Sequence, residues 1–384
     1  MNKRFLEAVA TLIGTTIGAG VLGIPYVVAK SGLAVGLLHI IIIGAAVMLV
    51  NLLLGEVVLR TKGNHQLTGY AEKYLGTAGK RLMALAMVLG IYGAMLAYII
   101  GVGNSLNAML PQLTPFAGSI IFFAIVSAIV YFGLKAVEES ELLLSFLTIA
   151  VISIVVVVAA TSGKFSAANF TGTSLQHVFM PYGVVLFAFL GAVAIPEMRE
   201  ELGSGKARKL LKRAIIIGGL VPIVLYSLFA VAVVGISGAS TGQIATVTIG
   251  KMLGERMILF ANLFAVLAMS TSFIALGLAL KEMYNYDYKL RKKASWILTC
   301  IVPLLAFLLG FKNFIAVLGV AGAVAGGIEG ILLVAMHQAA KKKKAEVKPE
   351  YAINISRLAT TALALMFLFG ILYAVITAAK AITG

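Results

Sequence analysis

Charged side chains are scarce in this chain of 384 residues. Asp, Glu, Lys and Arg together make up 12% of the sequence, whereas 61% of the residues are hydrophobic and the mean hydropathy is +1.03. Soluble globular domains carry about 25% charged residues. The composition therefore excludes an ordinary soluble globule and indicates an integral membrane protein.

Cysteine and histidine are rare as well. The single cysteine, Cys300, lies in an apolar segment, which excludes a disulfide framework and a cysteine-based metal site. Catalysis by a membrane enzyme would need a cluster of polar side chains, but the four histidines are scattered over different segments: His39, His65, His177 and His337. We therefore expect a protein that is not an enzyme and that holds no cofactor.

Long apolar runs are what the chain has in abundance. Eleven of them have the length that a hydrocarbon core of about 30 Å requires. Their approximate bounds are 5–29, 33–59, 82–109, 116–134, 141–162, 174–198, 214–236, 256–280, 294–310, 314–337 and 357–379. The connections between them are too short for a globular domain, so we predict one all-α transmembrane domain over residues 1–384 with eleven spanning helices.

Basic residues are distributed unevenly along this predicted topology. With a cytoplasmic N-terminus, 25 of the 31 lysines and arginines fall in cytoplasmic segments, as the positive-inside rule requires. We predict a multi-pass cell-membrane protein with its N-terminus inside and its C-terminus outside. Lys3 and Arg4 directly precede a full span, which predicts no cleaved signal peptide. The run Lys341–Lys344 is interpreted as a loop beside anionic membrane lipid rather than as a nucleic-acid site.

The run Leu12–Pro25, LIGTTIGAGVLGIP, has the wrong composition for an undisturbed spanning helix. It contains Gly14, Gly18, Gly20 and Gly23, so conformational freedom is concentrated where such a helix is normally stiff. A break in mid-membrane is tolerated only where the freed N–H and C=O groups face protein, ligand or water. The run is therefore a candidate binding site, although close packing of two helices at Gly14 and Gly18 would also account for its glycines.

A second interruption lies near the middle of the chain, in residues 187–196, FAFLGAVAIP. Paired interruptions in the two halves of a polytopic protein indicate the binding site of a secondary transporter. Spans 1–5 and spans 6–10 contain five helices each, and because five is odd the second set starts from the opposite face of the membrane. We predict an inverted repeat, with repeat one at about 5–162, repeat two at about 174–337 and an extra helix at about 357–379.

These two motifs, in this architecture, resemble a known family. GTTIGAGVLGIP in span 1 and FAFLGAVAIPEMREEL in span 6 look like the matching segments of the amino acid–polyamine–organocation superfamily, which has the LeuT-type fold. The eleven spans and the end of span 6 are most similar to its amino acid/auxin permease branch. The resemblance covers spans 1–10 and implies an amino acid transporter whose helices 1 and 6 are broken.

The resemblance also implies a substrate site made of backbone groups, between Thr16–Val21 in span 1 and Phe187–Gly191 in span 6. Freed N–H groups of span 1 would bind the substrate carboxylate, as helix N-termini bind anions. The implied donors are the N–H groups of Ala19, Gly20 and Val21, and the implied acceptors for the substrate ammonium are the carbonyl groups of Ile17, Phe187 and Leu190. A zwitterionic substrate then needs no charged side chain of the protein.

The side chains that we expect around this site are apolar or aromatic: Tyr92, Phe187, Phe189 and Val193. A buried charge without a partner costs several kcal/mol, so a neutral amino acid is favoured over a cationic or acidic one. Simple helix packing is the alternative explanation of the aromatic residues.

For the coupled ion, the resemblance implies a Na⁺ site between spans 1 and 8, with carbonyl ligands from Gly14, Ile17 and Ala268 and hydroxyl ligands from Thr271 and Ser272. Oxygen ligands suit a hard cation. The alternative is that both hydroxyls bond to carbonyl groups one turn back in their own helix. Residues 145–160 of span 5 contain no lysine that could replace the cation, which favours Na⁺ over H⁺.

Proton coupling is the alternative, and it would use intramembrane carboxylates. Glu7, Glu56, Glu197 and Glu329 lie in or near the spans, but ion pairs with neighbouring basic residues would equally explain them. The sequence thus predicts a secondary active transporter of a neutral amino acid that works by alternating access with Na⁺. A proton-coupled symporter, an exchanger and a non-transporting amino acid sensor stay open as alternatives, although a sensor usually carries a sizeable cytoplasmic domain.

Overall fold

The computed structural model describes residues 3–133, 141–170, 172–203, 205–286 and 288–383. Within these residues the regular secondary structure is helical, without β-strands, which confirms the all-α prediction. The N-terminal half contains α1 (Lys3–Thr16), α2 (Ile24–Ser31), α3 (Leu33–Arg60), α4 (Leu67–Met109), α5 (Pro115–Phe132) and α6 (Glu141–Thr161). The C-terminal half contains α7 (Pro181–Phe189), α8 (Ala194–Leu202), α9 (Leu211–Ser237), α10 (Ala245–Leu253), α11 (Glu255–Tyr286), α12 (Lys292–Leu308), α13 (Phe314–Ala321), α14 (Gly327–Lys342) and α15 (Arg357–Thr383).

Eight helical segments of the described residues are long and apolar enough to cross a membrane, or nine if the bent pair at the N-terminus counts as one span. The predicted segments 141–162 and 294–310 coincide with the shorter apolar stretch Phe146–Thr161 and with the 17-residue helix α12. The predicted end of span 4, residue 134, lies outside the described residues. Eleven spans stay a prediction.

The N-terminal pair is bent within the glycine-rich run. Helix α1 ends at Thr16, a 3-10 helix covers Ala19–Gly23, and the two parts Lys3–Thr16 and Ala19–Ser31 meet at an angle of 47°. Gly18 between them is extended, with φ −110° and ψ −159°. Pro25 lies in the first turn of α2, where its missing N–H group leaves no hydrogen bond unmade.

A comparable interruption separates α7 from α8. Leu190 leaves the helical conformation with φ −63° and ψ 121°, and α8 begins at Ala194. This part of the chain is central, because 78% of the apolar window in Pro181–Leu202 is buried, compared with 22% in Arg357–Lys380. Helix α15 is therefore peripheral.

A third irregularity was not predicted. Between α13 and α14, residues Gly322–Gly326 form a turn of π-helix. A Cβ atom on Gly322 would collide with the carbonyl oxygen of Gly183 in α7. The wide turn and the absent side chain therefore bring the backbone of this helix directly against α7.

The connection of residues 343–356 lies across the C-terminal end of α3 and is named the strap here. The Tyr351 hydroxyl donates to Leu52 O at 2.8 Å, and the Ile353 N–H group donates to Glu56 Oε2 at 2.7 Å. Outside the spans, Lys73 Nζ lies 2.8 Å from Glu346 Oε2, and this ammonium lowers the pKa of the Glu346 carboxyl. The strap thereby joins α3 to the beginning of α4.

Candidate functional site

The two interruptions lie in direct contact with each other. A Cβ atom built on Gly20 would lie 2.8 Å from the Ala188 Cα atom and 3.0 Å from Phe187 Cδ1. One built on Gly191 would lie 2.5 Å from Thr16 Oγ1. Glycine is required at both places because the facing interrupted segment leaves no room for a Cβ atom. The structure thus brings the residues predicted on span 1 together with those predicted on span 6.

Tyr226 of α9 joins the two interrupted helices chemically. Its fully buried hydroxyl donates to Thr16 O at 3.1 Å and to Ala188 O at 2.9 Å. Both carbonyl groups belong to the last turn of a helix, where partial negative charge accumulates. One hydroxyl hydrogen therefore serves two helix ends. Its ring packs against Phe189 with centroids 5.1 Å apart.

The sequence analysis missed Tyr226. The available signal was a tyrosine in the otherwise apolar segment 214–236, because a buried tyrosine hydroxyl normally has a hydrogen-bond partner. Its partners could not be predicted, because every residue has a backbone carbonyl group and the sequence does not show which of them lie near the tyrosine.

The backbone hydrogen bonds at the first interruption are few. Gly18 N–H donates to Thr16 O at 3.0 Å, and Val21 N–H donates to Gly18 O at 3.4 Å. Ala19 and Gly20 begin the 3-10 helix, so their N–H groups have no carbonyl acceptor within that helix. Of the three predicted carboxylate donors, Ala19 and Gly20 therefore offer the better N–H groups.

The predicted carbonyl acceptors also differ in whether a neighbouring N–H group already donates to them. Phe187 O already accepts from Leu190 N–H at 3.2 Å. Leu190 itself lies past the end of α7, and Ile17 lies past the end of α1, so both carbonyl groups stand outside a continuing helix. These two groups flank the contact between the interruptions.

The predicted aromatic side chains point in different directions. Phe189 is 3% exposed and packs against Tyr226 and toward Gly44 of α3, which makes it part of the core. Phe187 and Val193 are only partly buried. These two side chains are therefore the better candidates for contact with a substrate.

Tyr92, which is predicted beside the substrate site, bonds to two other helices. Its hydroxyl lies 2.8 Å from the Tyr284 hydroxyl and donates to Leu298 O at 3.0 Å, which holds it against α11 and α12. Tyr98, six residues further along α4, is the tyrosine that faces Gly18 at the first interruption. Its hydroxyl lies 4.0 Å from where a Gly18 Cβ atom would be. Six residues rotate a helix by about 240°, so the two tyrosines face different neighbours.

The two hydroxyl groups that are predicted to bind the ion have different neighbours. Thr271 Oγ1 donates to Ala268 O at 3.0 Å, so this hydroxyl bonds back within α11, as the alternative reading expected. Ser272 instead lies near the Tyr98 hydroxyl, and Tyr98 faces Gly18. Gly14 lies in the last turns of α1. Tyr98 therefore lies between span 8 and the interruption of span 1.

Three of the four glutamates considered for proton coupling have partners. Glu7 lies 3.7 Å from Lys3, and Glu197 also interacts with its neighbours. Glu56 is fully buried and lies within 3.0 Å of three basic groups, on Arg60, His337 and Lys341. Among the described residues, no hydrogen bond or ion pair reaches the carboxylate of Glu329.

A wider pocket, of about 400 Å³, opens at the end of the protein where α4 finishes and α13 begins. Asn104, Gln243, Lys251, Lys312 and Phe314 are among its lining residues. Its volume is in the range of small-molecule sites. Neither interruption is among its lining residues.

Comparisons with known proteins cover nearly the whole chain. The sequence model of the tryptophan/tyrosine permease family matches residues 1–377. Glutamine transporter 2 of Aliivibrio fischeri is 24% identical over 389 residues, which cover 97% of this chain and 98% of that protein. Tyrosine-specific transport system 1 of Haemophilus influenzae is 25% identical over 348 residues, or 84% of each chain.

Among solved structures, the crystal structure of MhsT in complex with L-phenylalanine superposes with a TM-score of 0.62. The alignment covers 97% of this chain and 98% of that one, at 17% sequence identity. At this identity the likeness is one of fold.

Proposed function

The chain belongs to the tryptophan/tyrosine permease family, and from this premise we propose that it carries a neutral amino acid across the cell membrane as a secondary active transporter, by alternating access. Its family and relatives are transporters rather than enzymes. The observation that carries the proposal is the contact of two interrupted helices at Gly20 and Gly191, which exposes backbone groups of both signs at one place.

The proposed substrate is an uncharged amino acid with a large side chain. Ala19, Phe187, Leu190 and Val193 offer no partner for a charged group. The relatives are named for glutamine and tyrosine, and the structural neighbour holds L-phenylalanine. All three are neutral and larger than alanine. We propose that the N–H groups of Ala19 and Gly20 bind the carboxylate, while the carbonyl groups of Ile17 and Leu190 bind the ammonium.

The proposed architecture is a five-plus-five inverted repeat of eleven spans, with spans 1 and 6 broken. The interruptions after Thr16 and Phe189 support it, because they fall in the first helix of each proposed repeat. Helix α15, which lies at the periphery, would be the extra span. The asymmetry of basic residues supports a cytoplasmic N-terminus and an external C-terminus.

For the coupled ion we propose Na⁺ near Ser272 and the carbonyl groups of Gly14, Ile17 and Ala268. The position of Tyr98 between Ser272 and Gly18 supports communication between span 8 and the first interruption. The back-bonded hydroxyl of Thr271 still has a free lone pair that can face a cation. Proton-coupled symport is the second candidate, and the unpaired carboxylate of Glu329 favours it.

Uptake by purified protein in liposomes tests the proposal. L-tyrosine, L-phenylalanine and L-glutamine should each accumulate or compete, while L-arginine and L-glutamate at equal concentration should compete at least about tenfold less well, a gap of about 1.4 kcal/mol. Imposed Na⁺ and pH gradients, applied separately, identify the driving ion. Binding without any uptake would show a sensor, and displacement of L-tyrosine by equimolar L-arginine would contradict the neutral-substrate proposal.

A further inference from the structure

Glu329 differs from Glu7, Glu56 and Glu197 because its carboxylate has no hydrogen-bond or ion-pair partner among the described residues. It lies in the first turn of α14, where its side chain is partly buried and closely surrounded by protein. A carboxylate in such a place has less water around it than one at the surface, so its charged form is disfavoured. Some group has to compensate it.

The surroundings of Glu329 form a small cavity of about 10 Å³, which is room for about one water molecule. Asn51 of α3 lines the cavity from one side and Gly330 from another. The remaining wall includes Leu190, Gly191 and Ala192, which are the interruption between α7 and α8. Glu329 therefore borders the interruption that is proposed to bind substrate.

Asn51 supplies the second observation. Its side chain is 4% exposed, and its Oδ1 atom is buried without a hydrogen-bond partner. The cavity is thus lined by two acceptor groups, a carboxylate and an amide oxygen, and neither has a donor. A water molecule could donate to both but would leave the negative charge unneutralised. A proton on Glu329 removes the charge and creates the missing donor at once.

We infer that Glu329 is a proton-binding site, that its protonated carboxyl donates to Asn51 Oδ1 directly or through one water molecule, and that its proton is linked to the closed arrangement of the span 6 interruption. The proton comes from solvent and returns to solvent, so no other reactant is needed. When Leu190–Ala192 moves, water gains access to the cavity and the ionised form is stabilised. This inference rests on the proposed transport function for its physiological meaning, but the proton site itself does not depend on it.

Other titratable groups do not replace this role. Among the residues that line the cavity, Glu329 is the titratable one, and the walls from α3, α7, α14 and α15 are otherwise apolar, glycine or the Asn51 amide. The next charged cluster along α3 and α14 contains Glu56, Arg60, His337 and Lys341, which are paired with one another. His337 lies eight residues from Glu329, about 12 Å along the helix.

Infrared spectroscopy of the full-length protein in lipid tests the site directly. In neutral buffer, the wild-type protein should show the C=O stretching band of a protonated carboxylic acid. The band should vanish in Glu329→Gln, persist in the surface control Glu72→Gln, and shift in Asn51→Leu, which loses the acceptor. If the amide of Asn51 is instead turned to donate Nδ2–H to an ionised carboxylate, the wild-type protein lacks the band, and the inference is overturned.

The pH dependence of L-tyrosine transport tests whether the proton on Glu329 is linked to substrate binding. At saturating Na⁺, the apparent affinity of the wild-type protein for L-tyrosine should fall with rising pH, by at most about tenfold per pH unit for one linked proton. Glu329→Gln, an uncharged mimic of the protonated form, should flatten this profile, whereas Glu72→Gln should keep it. A wild-type profile in Glu329→Gln overturns the inference.

The inference and the proposed function can fail separately. If Glu329→Gln does not fold, Glu329→Asp keeps a titratable group, and a displaced carboxylic acid band in that variant supports the site while an unchanged band opposes it. Absence of uptake of L-tyrosine, L-phenylalanine and L-glutamine by the wild-type protein would refute the transport proposal. The infrared result on Glu329 would still stand by itself.

Discussion

The hydroxyl of Tyr226 donates to both interrupted helices at their ends. Without it, the buried carbonyl group of Ala188 would lose this donor, and that of Thr16 would keep the Gly18 N–H group. Removing one partner of a buried hydrogen bond costs about 1–3 kcal/mol. The position of the helix ends, and with it the spacing of the substrate-binding backbone groups, depends on this residue.

We therefore predict that Tyr226→Phe keeps the ring contact with Phe189 but weakens L-tyrosine binding about tenfold, which corresponds to about 1.4 kcal/mol. The measurements are equilibrium binding and the melting temperature in detergent. Tyr373→Phe, on the peripheral helix α15, is the matched control and should change neither. Unaltered binding by Tyr226→Phe would show that the helix ends are held by other contacts.

Gly20 is the second residue on which the contact between the interruptions depends. Resemblance alone assigns its lack of a side chain to the approach of a substrate carboxylate. The structure gives a more immediate reason, because a Cβ atom would lie 2.8 Å from the Ala188 Cα atom. Backbone cannot yield as a flexible side chain can. The glycine is needed for the packing of the two spans even without substrate.

Gly20→Ala should accordingly impair both binding and stability, with a cost of about 1–3 kcal/mol for the overpacked contact. Gly319→Ala is the control, since its Cβ atom would meet its nearest neighbour, Val184 Cγ2, at an ordinary 3.9 Å. Thermal unfolding with and without L-tyrosine separates the two effects. A stable Gly20→Ala protein that lost only binding would restore the explanation by substrate approach.

At the scale of elements, the strap of residues 343–356 is held to α3 by the buried carboxylate of Glu56. This carboxylate accepts from Ile353 N–H at 2.7 Å and also lies beside Arg60 and Lys341. Breaking a buried ion pair costs about 3–5 kcal/mol, whereas an exposed pair such as Lys80–Glu72 contributes about 0–1 kcal/mol. The strap should therefore detach when Glu56 loses its charge.

Glu56→Gln should lower the melting temperature and speed cleavage by trypsin at the Lys341–Lys344 run, because a detached strap is more mobile. Glu72→Gln is the matched control and should do neither. The measurement is the rate of limited proteolysis of the reconstituted protein, with the cleavage sites identified by mass spectrometry. Equal rates in the two variants would mean that Tyr351 and Glu346 hold the strap without Glu56.

At the scale of helices, the sequence predicted where most helices lie but not how each is rotated about its axis. Hydropathy predicted the helices, clustered glycine predicted the interruption near Gly18, and the run FAFLGAVAIP predicted the one near Gly191. The rotation of a helix about its axis could not be predicted, because lipid-facing and protein-facing side chains are both apolar in a membrane. The sequence therefore did not distinguish Tyr92 from Tyr98, which is the tyrosine that faces Gly18. The π-turn at Gly322–Gly326 was missed for a similar reason, since a glycine-rich helix and a widened one have the same composition.

For the whole molecule, the decisive question is how the cation and the substrate act on one another. Their proposed sites would communicate through Tyr98, whose hydroxyl lies near Ser272 and near Gly18 at the first interruption. Na⁺ near Ser272 would order the same backbone that binds the substrate carboxylate. Any factor by which Na⁺ tightens amino acid binding must then reappear in the effect of the amino acid on Na⁺.

We predict a coupling free energy of about 1–3 kcal/mol, measured as the change in L-tyrosine affinity with Na⁺ and, reciprocally, in Na⁺ affinity with L-tyrosine. Thr271→Val keeps the side-chain shape but removes one oxygen, so it should reduce the Na⁺ dependence more than the L-tyrosine affinity at saturating Na⁺. Ser270→Ala is the matched control, because the Ser270 hydroxyl donates to Val266 O within the same helix and is no predicted ligand. Uptake driven equally well by a pH gradient without Na⁺, and indifferent to Thr271→Val, would make H⁺ the coupled ion and Glu329 its first candidate carrier.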